Sequence, residues 1–232
     1  MKIKRCVAGI ALALHLGSVS ALAQNAYITN SGSNTVSVLN TATRIVIGTI
    51  SVGVGSTPRP YGVAISPDGS RVYVTNQFSN SVSAIDTATE TLIATIAVGS
   101  GPAGVAITPD GSKVYVANQS SQDSNNNSTV SVINTQTNAV TTVPIPSSPP
   151  GILSRPLGLA VSPDGRKVYV GTELGMVSVI DTVSNSVATF KIGNIPIKGV
   201  TVSPDGHYVY VVNGNFVFVQ SSQVGQITKA YR

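Results

Sequence analysis

The sequence predicts an all-β fold, a β-propeller of four-stranded antiparallel blades, and three observations support this prediction. An eleven-residue segment recurs four times, as SPDGSRVYVTN (66–76), TPDGSKVYVAN (108–118), SPDGRKVYVGT (162–172) and SPDGHYVYVVN (203–213). The spacings between successive repeats are 42, 54 and 41 residues, close to the length of one propeller blade. Short apolar runs separated by turn residues fill each repeat, and no segment after residue 23 has helical periodicity.

The first 23 residues have the pattern of a secretory signal peptide. Lys2, Lys4 and Arg5 precede an apolar run over 7–19, and the small residues of Ala21-Leu22-Ala23 form a cleavage site before Gln24. The apolar run is short for a membrane span, although an uncleaved anchor is the alternative. We therefore expect a propeller domain over 24–232 that is periplasmic, on the cell surface or secreted, with no membrane span after cleavage.

Cleavage would change the charge and the set of reactive side chains. It removes three of the 14 basic residues and none of the nine acidic ones, so the formal charge falls from +5 to +2. This small charge argues against nucleic acid as a partner. Cys6 is the single cysteine, and His207 is the one histidine that follows residue 23. Zinc-finger, iron–sulfur and Cys–His nucleophile sites are therefore excluded, and we expect no cofactor.

Each repeat unit contains four short β-runs, illustrated by the unit that begins at Pro60. The runs are YGVAIS (61–66), RVYVTN (71–76), SVSAID (81–86) and TLIATIAV (91–98). A Pro-Asp-Gly turn joins the first two runs, and a polar DTATET turn joins the last two. The second run is apolar at successive positions, which indicates burial on both faces, as between two neighbouring blades. A glycine in each first run (Gly62, Gly104, Gly158 and Gly199) suits a crowded central axis. A β-helix is the alternative fold.

The units define four complete blades and one incomplete blade. The complete blades are predicted over 60–98, 103–144, 157–192 and 198–231, whereas 26–52 holds only a second, third and fourth strand. Ring closure within one chain is therefore in doubt. Three arrangements are open: an unusually small ring, an arc whose unpaired end blades associate with another copy, or a truncated larger propeller.

The repeated motifs resemble those of one propeller family. VYVTN and VYVAN, followed by VSAID or VSVIN, a TxxxTIxVG-like strand and GVAISPDG, are similar to the YVTN-family β-propeller repeat. The resemblance covers 26–232 and implies an exported, surface-layer-like propeller, usually closed at seven blades. A propeller hosts many unrelated activities, so the resemblance implies the fold more strongly than the function.

Most acidic residues are expected to serve the turns. The repeated aspartates Asp68, Asp110, Asp164 and Asp205 occupy the same turn in each unit, and Asp86 and Asp181 end third strands. His207 replaces a serine or arginine in the last of the Pro-Asp-Gly turns, where we expect a surface role. A DSNNN segment at 123–127 is weakly similar to the start of a calcium loop, which makes Asp123 a weak metal candidate, but the glycine and distal glutamate are missing.

The placement of long loops predicts the binding surface. Connections after second and fourth strands share one face, and the three expansions (52–60, 118–130 and 144–156) all belong to it. Variable loops on one face of a rigid scaffold commonly bind ligands. The candidate ligand-binding residues on this face are Arg59, Tyr61, Asn76, Gln77, Asn118, Gln119, Arg155 and Glu173. Arg59 and Arg155, at matching positions before a proline, are predicted near the channel mouth, where they would suit carboxylate or phosphate groups. Capping of loop carbonyls is the alternative role.

The sequence favours a non-catalytic binding or interaction scaffold that acts through its loop-rich face. Repeat regularity and the lack of GxSxG, GxxxxGK or HExxH motifs support this interpretation. The alternative is a propeller enzyme at the channel mouth, since exported propellers with similar repeats resemble lactonases, lyases or dehydrogenase subunits. In that case Arg59, Arg155, Glu173 and Asp123 would orient a substrate or a divalent ion.

Overall fold

The computed structural model describes residues 12–14, 25–122, 127–146, 152–214, 216–221 and 227–231. These residues form strands, turns and loops and include no helix. Accordingly, the described part of the chain has no helix of the length and apolarity that crossing a membrane requires.

In the described ranges, twenty strands group into five antiparallel sheets, each with its strands in sequence order or its reverse. The first sheet comprises β1 (Leu12–Leu14), β2 (Asn25–Asn30), β3 (Thr35–Asn40) and β4 (Ile45–Ser51). The second comprises β5 (Pro60–Ile65), β6 (Arg71–Asn76), β7 (Ser81–Asp86) and β8 (Thr91–Ala97). The third comprises β9 (Pro102–Ile107), β10 (Lys113–Gln122), β11 (Ser128–Asn134) and β12 (Val140–Ile145). The fourth comprises β13 (Pro156–Val161), β14 (Lys167–Thr172), β15 (Met176–Asp181) and β16 (Val187–Lys191). The fifth comprises β17 (Ile197–Val202), β18 (Tyr208–Asn213), β19 (Phe216–Ser221) and β20 (Ile227–Tyr231).

The four complete blades that the sequence predicts are confirmed as the second to fifth sheets. The first sheet has the three predicted strands and also β1, a strand of three residues that lies inside the predicted signal peptide. Its register pairs Leu12 with Ile28 and Leu14 with Ala26. An apolar run is typical of both a signal peptide and a buried inner strand, so the sequence alone did not indicate this pairing. Cleavage before Gln24 stays a prediction.

The first strands of the sheets pack in series along the inner side of the fold. β1 contacts β5, β5 contacts β9, β9 contacts β13, and β13 contacts β17. No extended contact joins the first and last sheets within the described ranges. In the described ranges, the sheets therefore form an open series rather than a closed ring. Association of the ends of this series with a second copy of the chain stays a prediction.

Close approach of the inner strands explains the repeated glycines. A Cβ at Gly62 would collide with the carbonyl oxygen of Ala103, and a Cβ at Gly104 would collide with that of Leu157. In four inner strands, β5, β9, β13 and β17, the register shifts close to the glycine, as in a β-bulge that bends the strand. The predicted crowding is therefore confirmed in the second and third sheets.

The core lies between neighbouring sheets, as the uniformly apolar second strands predict. In each of the first four sheets, the second strand carries a tyrosine that is buried against the next sheet. These residues are Tyr27, Tyr73, Tyr115 and Tyr169. Tyr73, for example, packs with Val114, Val116 and Ile133 of the third sheet. Tyr210, the equivalent residue of the fifth sheet, is only partly buried.

Candidate functional site

The two faces of the fold are formed by different connections, as predicted. On one face, here called the turn face, the Pro-Asp-Gly turns meet the turns between third and fourth strands; Thr87 N, for example, donates to Ser70 O at 3.1 Å. On the other, here called the loop face, the connections after second and fourth strands meet, and Phe78 N donates to Pro58 O at 3.0 Å. All three expanded connections therefore begin or end on the loop face.

Two predicted site residues on the loop face have an unusual backbone conformation. Arg59 and Arg155 adopt φ values of 53° and 46°, in the left-handed region, and Gly101 takes the same position in the third sheet with φ of 65°. A side chain in this region costs about 1 kcal/mol relative to glycine. Their backbone N–H groups donate to side chains in the preceding sheet, namely Asn34 Oδ1, Asn80 Oδ1 and Ser128 Oγ for residues 59, 101 and 155. The backbone is thus held in place whichever side chain is present.

The side chain of Arg59 is directed onto an aromatic ring. Its Cζ lies 4.8 Å from the centroid of the Phe78 ring, a cation–π distance. Phe78 is 61 % exposed, and Val54 in the adjacent connection is also exposed. Arg59 and Phe78 thus form an exposed patch, here called the Arg59 patch, and the exposed Val54 belongs to the same connection as Arg59. Arg59 thus lies on this patch and is not among the residues that line the cavity along the inner strands.

Arg155 has a different partner at the matching position. Its Nη1 lies 3.4 Å from Glu173 Oε2, and both side chains are substantially exposed. The carbonyl oxygen of Arg155 also accepts a hydrogen bond from Glu173 N at 3.1 Å. The two predicted site residues Arg155 and Glu173 are therefore brought together, as a solvent-exposed ion pair whose contribution to stability is small.

The polar residues at the ends of the second strands divide into a partly buried pair and a fully buried pair. Gln77 Nε2 donates to Gln119 Oε1 at 2.9 Å and so bridges the second and third sheets on the loop face. In contrast, Asn76 and Asn118 have 0 % exposure. They lie inside the blades and are not accessible to a ligand on the loop face, which corrects their placement among the surface candidates.

The buried asparagines hold the strands and connections together. Asn76 Nδ2 donates to Ser81 Oγ at 3.2 Å and to Ser83 Oγ at 2.9 Å, and Asn118 bonds Thr129 and Ser131 in the same way. Ser83 Oγ also accepts from Gly53 N at 3.0 Å, so it fixes the incoming connection. A Ser/Thr-Val-Ser motif in the following strand is the sequence signal that could have identified this structural role.

A central cavity lies along the inner strands. Its volume is about 510 Å³, and it is lined by Tyr61, Gly62, Val63, Gly104, Val105, Leu157, Gly158, Leu159, Lys198, Gly199 and Val200. Tyr61 is the one predicted site residue in this lining. Lys198, which sequence reasoning did not select, adds a positive charge to walls that are otherwise largely apolar. Lys198 directly precedes the inner-strand glycine Gly199, and this position was the sequence signal that could have identified it as a lining residue.

The aspartates of the turn face are turn residues, which confirms the prediction. Asp68 Oδ1 accepts from Ser66 Oγ and Ser70 N, and these hydrogen bonds lower the pKa of Asp68 to about 2. The same bonding lowers the pKa values of the equivalent aspartates Asp110, Asp164 and Asp205. His207 is exposed, 3.4 Å from Asp205.

Metal binding was predicted only weakly. Asp123 lies outside the described residues. Among those that are described, no group of three or more His, Cys, Asp or Glu side chains is arranged to hold a metal ion.

Comparison with known proteins identifies the family. No curated protein matches this chain. The sequence profile of the family described as "Lactonase, 7-bladed beta-propeller" matches residues 18–145, from the predicted signal peptide to the end of β12. Because the match covers more than half of the 232 residues, the chain belongs to this family of lactonase-type β-propellers.

Proposed function

We propose that this protein is an exported, non-catalytic binding scaffold whose loop face, and the Arg59 patch in particular, contacts a partner protein. The observation that carries the proposal is the stacking of Arg59 on an exposed phenylalanine at 4.8 Å. Arginine and large aromatic residues are enriched among the side chains that contribute most to protein binding.

The construction of the patch supports this function. Arg59 N donates to Asn34 Oδ1 at 3.1 Å, and Arg59 O accepts from Gln77 N at 3.0 Å, so its backbone is anchored on both sides. The backbone of Phe78 is in turn bonded to Pro58 O. A patch held rigidly before binding loses little conformational entropy when a partner binds. The exposed apolar area therefore favours a role in binding.

Site-specific photo-crosslinking tests the proposal. A photoreactive amino acid replaces Phe78 in the full chain, and the protein is expressed in its own host. Val183 provides the matched control, because it is highly exposed but lies in a turn of the opposite face. We expect a discrete crosslinked product from position 78 and none of that mass from position 183.

A second variant links the product to the patch. Arg59→Gly in the crosslinking background is expected to abolish the product, whereas Arg44→Gly is expected to preserve it. Arg44 also has a left-handed backbone, with φ of 59°, but it belongs to the turn face. Identical products from positions 78 and 183, or an unchanged product in the Arg59→Gly variant, would contradict the proposal.

A hydrolytic enzyme is the second candidate, and the family match favours it. The central cavity of about 510 Å³ is large enough for a small lactone. The Lys198 ammonium and the Tyr61 hydroxyl are the polar side-chain groups in its lining, and they could stabilise an oxyanion that develops when water attacks a lactone carbonyl.

Turnover assays separate the two candidates. The full chain is incubated with γ- and δ-lactones, and the release of acid is followed at constant pH. If the protein is an enzyme, we expect turnover in the wild type. Lys198→Met and Tyr61→Phe should reduce this turnover, whereas Phe78→Ala should not. If the protein is a binding scaffold, we expect no turnover and the crosslinked product from position 78.

A further inference from the structure

A cleft separates the second and third sheets on the turn face, far from the Arg59 patch. Its volume is about 630 Å³, and its two sides are formed by successive Pro-Asp-Gly turns. Asp68 and Arg71 lie on one side, Asp110 and Gln136 lie on the other, and Tyr73 also lines the cleft. The cleft is therefore bounded by polar groups from two different sheets.

Tyr73 provides a buried hydrogen-bond donor without an acceptor. Its side chain is 1 % exposed, and its Oη has no hydrogen-bond partner among the described residues. A buried polar group without a partner costs about 1 to 3 kcal/mol, so such groups in native proteins need an explanation. Because Tyr73 lines the cleft, an acceptor atom of a molecule bound there would satisfy this hydroxyl.

The remaining polar groups of the cleft include both acceptors and donors. The Oδ2 atoms of Asp68 and Asp110 accept from serine hydroxyls in their own turns at 2.8 Å, and a carboxylate oxygen can accept a second bond. Arg71 Nη1 donates to Thr135 O at 2.8 Å, which leaves its other N–H groups to serve a ligand. The cleft thus offers fixed acceptors on both rims, and donors from Tyr73 and Arg71.

This combination selects the charge of the ligand. An anion would be repelled by two ionised carboxylates, since hydrogen bonds keep the pKa values of Asp68 and Asp110 low. A simple cation would be attracted by the carboxylates, but it could not accept a hydrogen bond from the Tyr73 hydroxyl, and the Arg71 guanidinium would offset part of the attraction. A neutral molecule with several hydroxyl groups can donate to the carboxylates and accept from the phenol and guanidinium at the same time. The rings of Pro67 and Pro109 add apolar surface to the same cleft.

We propose that this cleft, here called the Tyr73 cleft, binds a neutral sugar or polyol, with the Tyr73 hydroxyl donating to one of its oxygens. A second cleft of related design lies between the fourth and fifth sheets, with a volume of about 460 Å³. It is lined by Asp164, Lys167, Tyr169 and Asp205, and also by His207. Repeated clefts on one face suit a ligand that itself has repeating units, such as an oligosaccharide.

Titration of the full chain with sugars tests this assignment. The probes are three neutral sugars (trehalose, cellobiose and maltotriose) and two charged ones of similar chemistry (gluconate and glucosamine). Tyrosine ring resonances of the isotopically labelled protein report binding, and comparison with the Tyr73→Phe variant assigns the Tyr73 signal. We expect at least one neutral sugar to shift the Tyr73 signal saturably, and neither charged sugar to bind as tightly.

The Tyr73→Phe variant separates a binding role from a structural one. Loss of one hydrogen bond is expected to weaken sugar binding about threefold to tenfold, whereas the melting temperature should stay the same or rise. Tyr208→Phe, which removes an exposed hydroxyl, is the matched control and should bind as the wild type does. The proposal is overturned if no neutral sugar shifts the Tyr73 signal at its solubility limit. Tighter binding of a charged probe, or unchanged binding by Tyr73→Phe, would also overturn it.

Discussion

Gly104 lies directly against the carbonyl oxygen of Leu157 in the next inner strand, so closely that a Cβ at position 104 would overlap that oxygen. The contact belongs to the line of inner strands that joins the third sheet to the fourth. In contrast, the nearest atom to a Cβ at Gly199 in the fifth sheet would be Val212 Cγ2, at an ordinary 3.9 Å. The same repeat position is therefore crowded where another sheet follows and open in the fifth sheet.

This difference predicts unequal effects of the same substitution. Gly104→Ala is expected to lower the free energy of unfolding by about 2 kcal/mol, because the two inner strands must move apart. Gly199→Ala is expected to change it by less than about 0.5 kcal/mol. Urea unfolding of both variants measures the effect. An equal loss at both positions would show that the sheets do not approach each other as described.

On the turn face, basic side chains connect the second sheet to the third and the third sheet to the fourth. Arg71 Nη1 donates to Thr135 O at 2.8 Å, and Lys113 Nζ donates to Thr182 O at 2.6 Å. Arg71→Met is expected to lower the free energy of unfolding by about 1 to 2 kcal/mol, because a partly buried carbonyl loses a charged donor. Arg166→Met, at an exposed neighbouring repeat position, should have little effect. A similar loss in both variants would contradict a specific link between sheets.

The hydrogen-bonded aspartates predict a defined loss of stability in acid. In the folded protein, bonds from Ser66 and Ser70 lower the pKa of Asp68 from 3.8 to about 2. A lowered pKa contributes stability that is present above the unfolded value and is lost as the pH falls through the folded value. We therefore expect the urea midpoint to fall between about pH 4 and pH 2. The fall in the urea midpoint should be smaller in Asp68→Asn. The same dependence of the urea midpoint on pH in this variant and in the wild type would contradict this explanation.

Tyr115 predicts the behaviour in alkali. Burial, together with the nearby charges of Asp181 and Asp110, raises the pKa of Tyr115 to about 12. The neutral phenol thus contributes stability that is present below about pH 10 and is lost as the pH rises toward 12. Subtraction of the ultraviolet titration curve of Tyr115→Phe from that of the wild type isolates the ionisation of Tyr115. We expect this ionisation near pH 12, or at the pH at which the protein unfolds. Ionisation near pH 10 in the folded protein would contradict this burial.

The regular features of the fold could be predicted because they are local and repeated. The Pro-Asp-Gly turns need only residues near in sequence, as the bonds from Ser66 and Ser70 to Asp68 illustrate. The inner-strand glycines were also predictable, since a glycine recurring at one strand position indicates a close backbone approach. The same reasoning could not show that Gly199 is uncrowded, because that depends on which sheet follows it.

Two features of the site depend on contacts between distant segments. Asn76 ends a strand, where sequence reasoning expects exposure, but the connection containing Gly53 covers it and hydrogen bonds to its partner Ser83. Arg59 was expected at the channel mouth. Its contact with Phe78 could not be predicted, because nothing in the Arg-Pro dipeptide specifies a partner that lies 19 residues later in the chain.

The central claim is that Arg59 belongs to a binding surface and that neither Arg59 nor Arg155 is needed for the stability of the loop face. The most direct measurement is the free energy of unfolding of the double variant Arg59→Gly, Arg155→Gly, compared with Arg59→Ala, Arg155→Ala. Glycine relieves the left-handed strain and alanine does not, so the glycine variant should be more stable than the alanine variant by about 1 kcal/mol per site. It should also lie within about 1 kcal/mol of the wild type, because an exposed ion pair and an exposed cation–π contact each contribute little. A loss of several kcal/mol in the glycine variant would contradict the claim and assign the arginines to holding the loops.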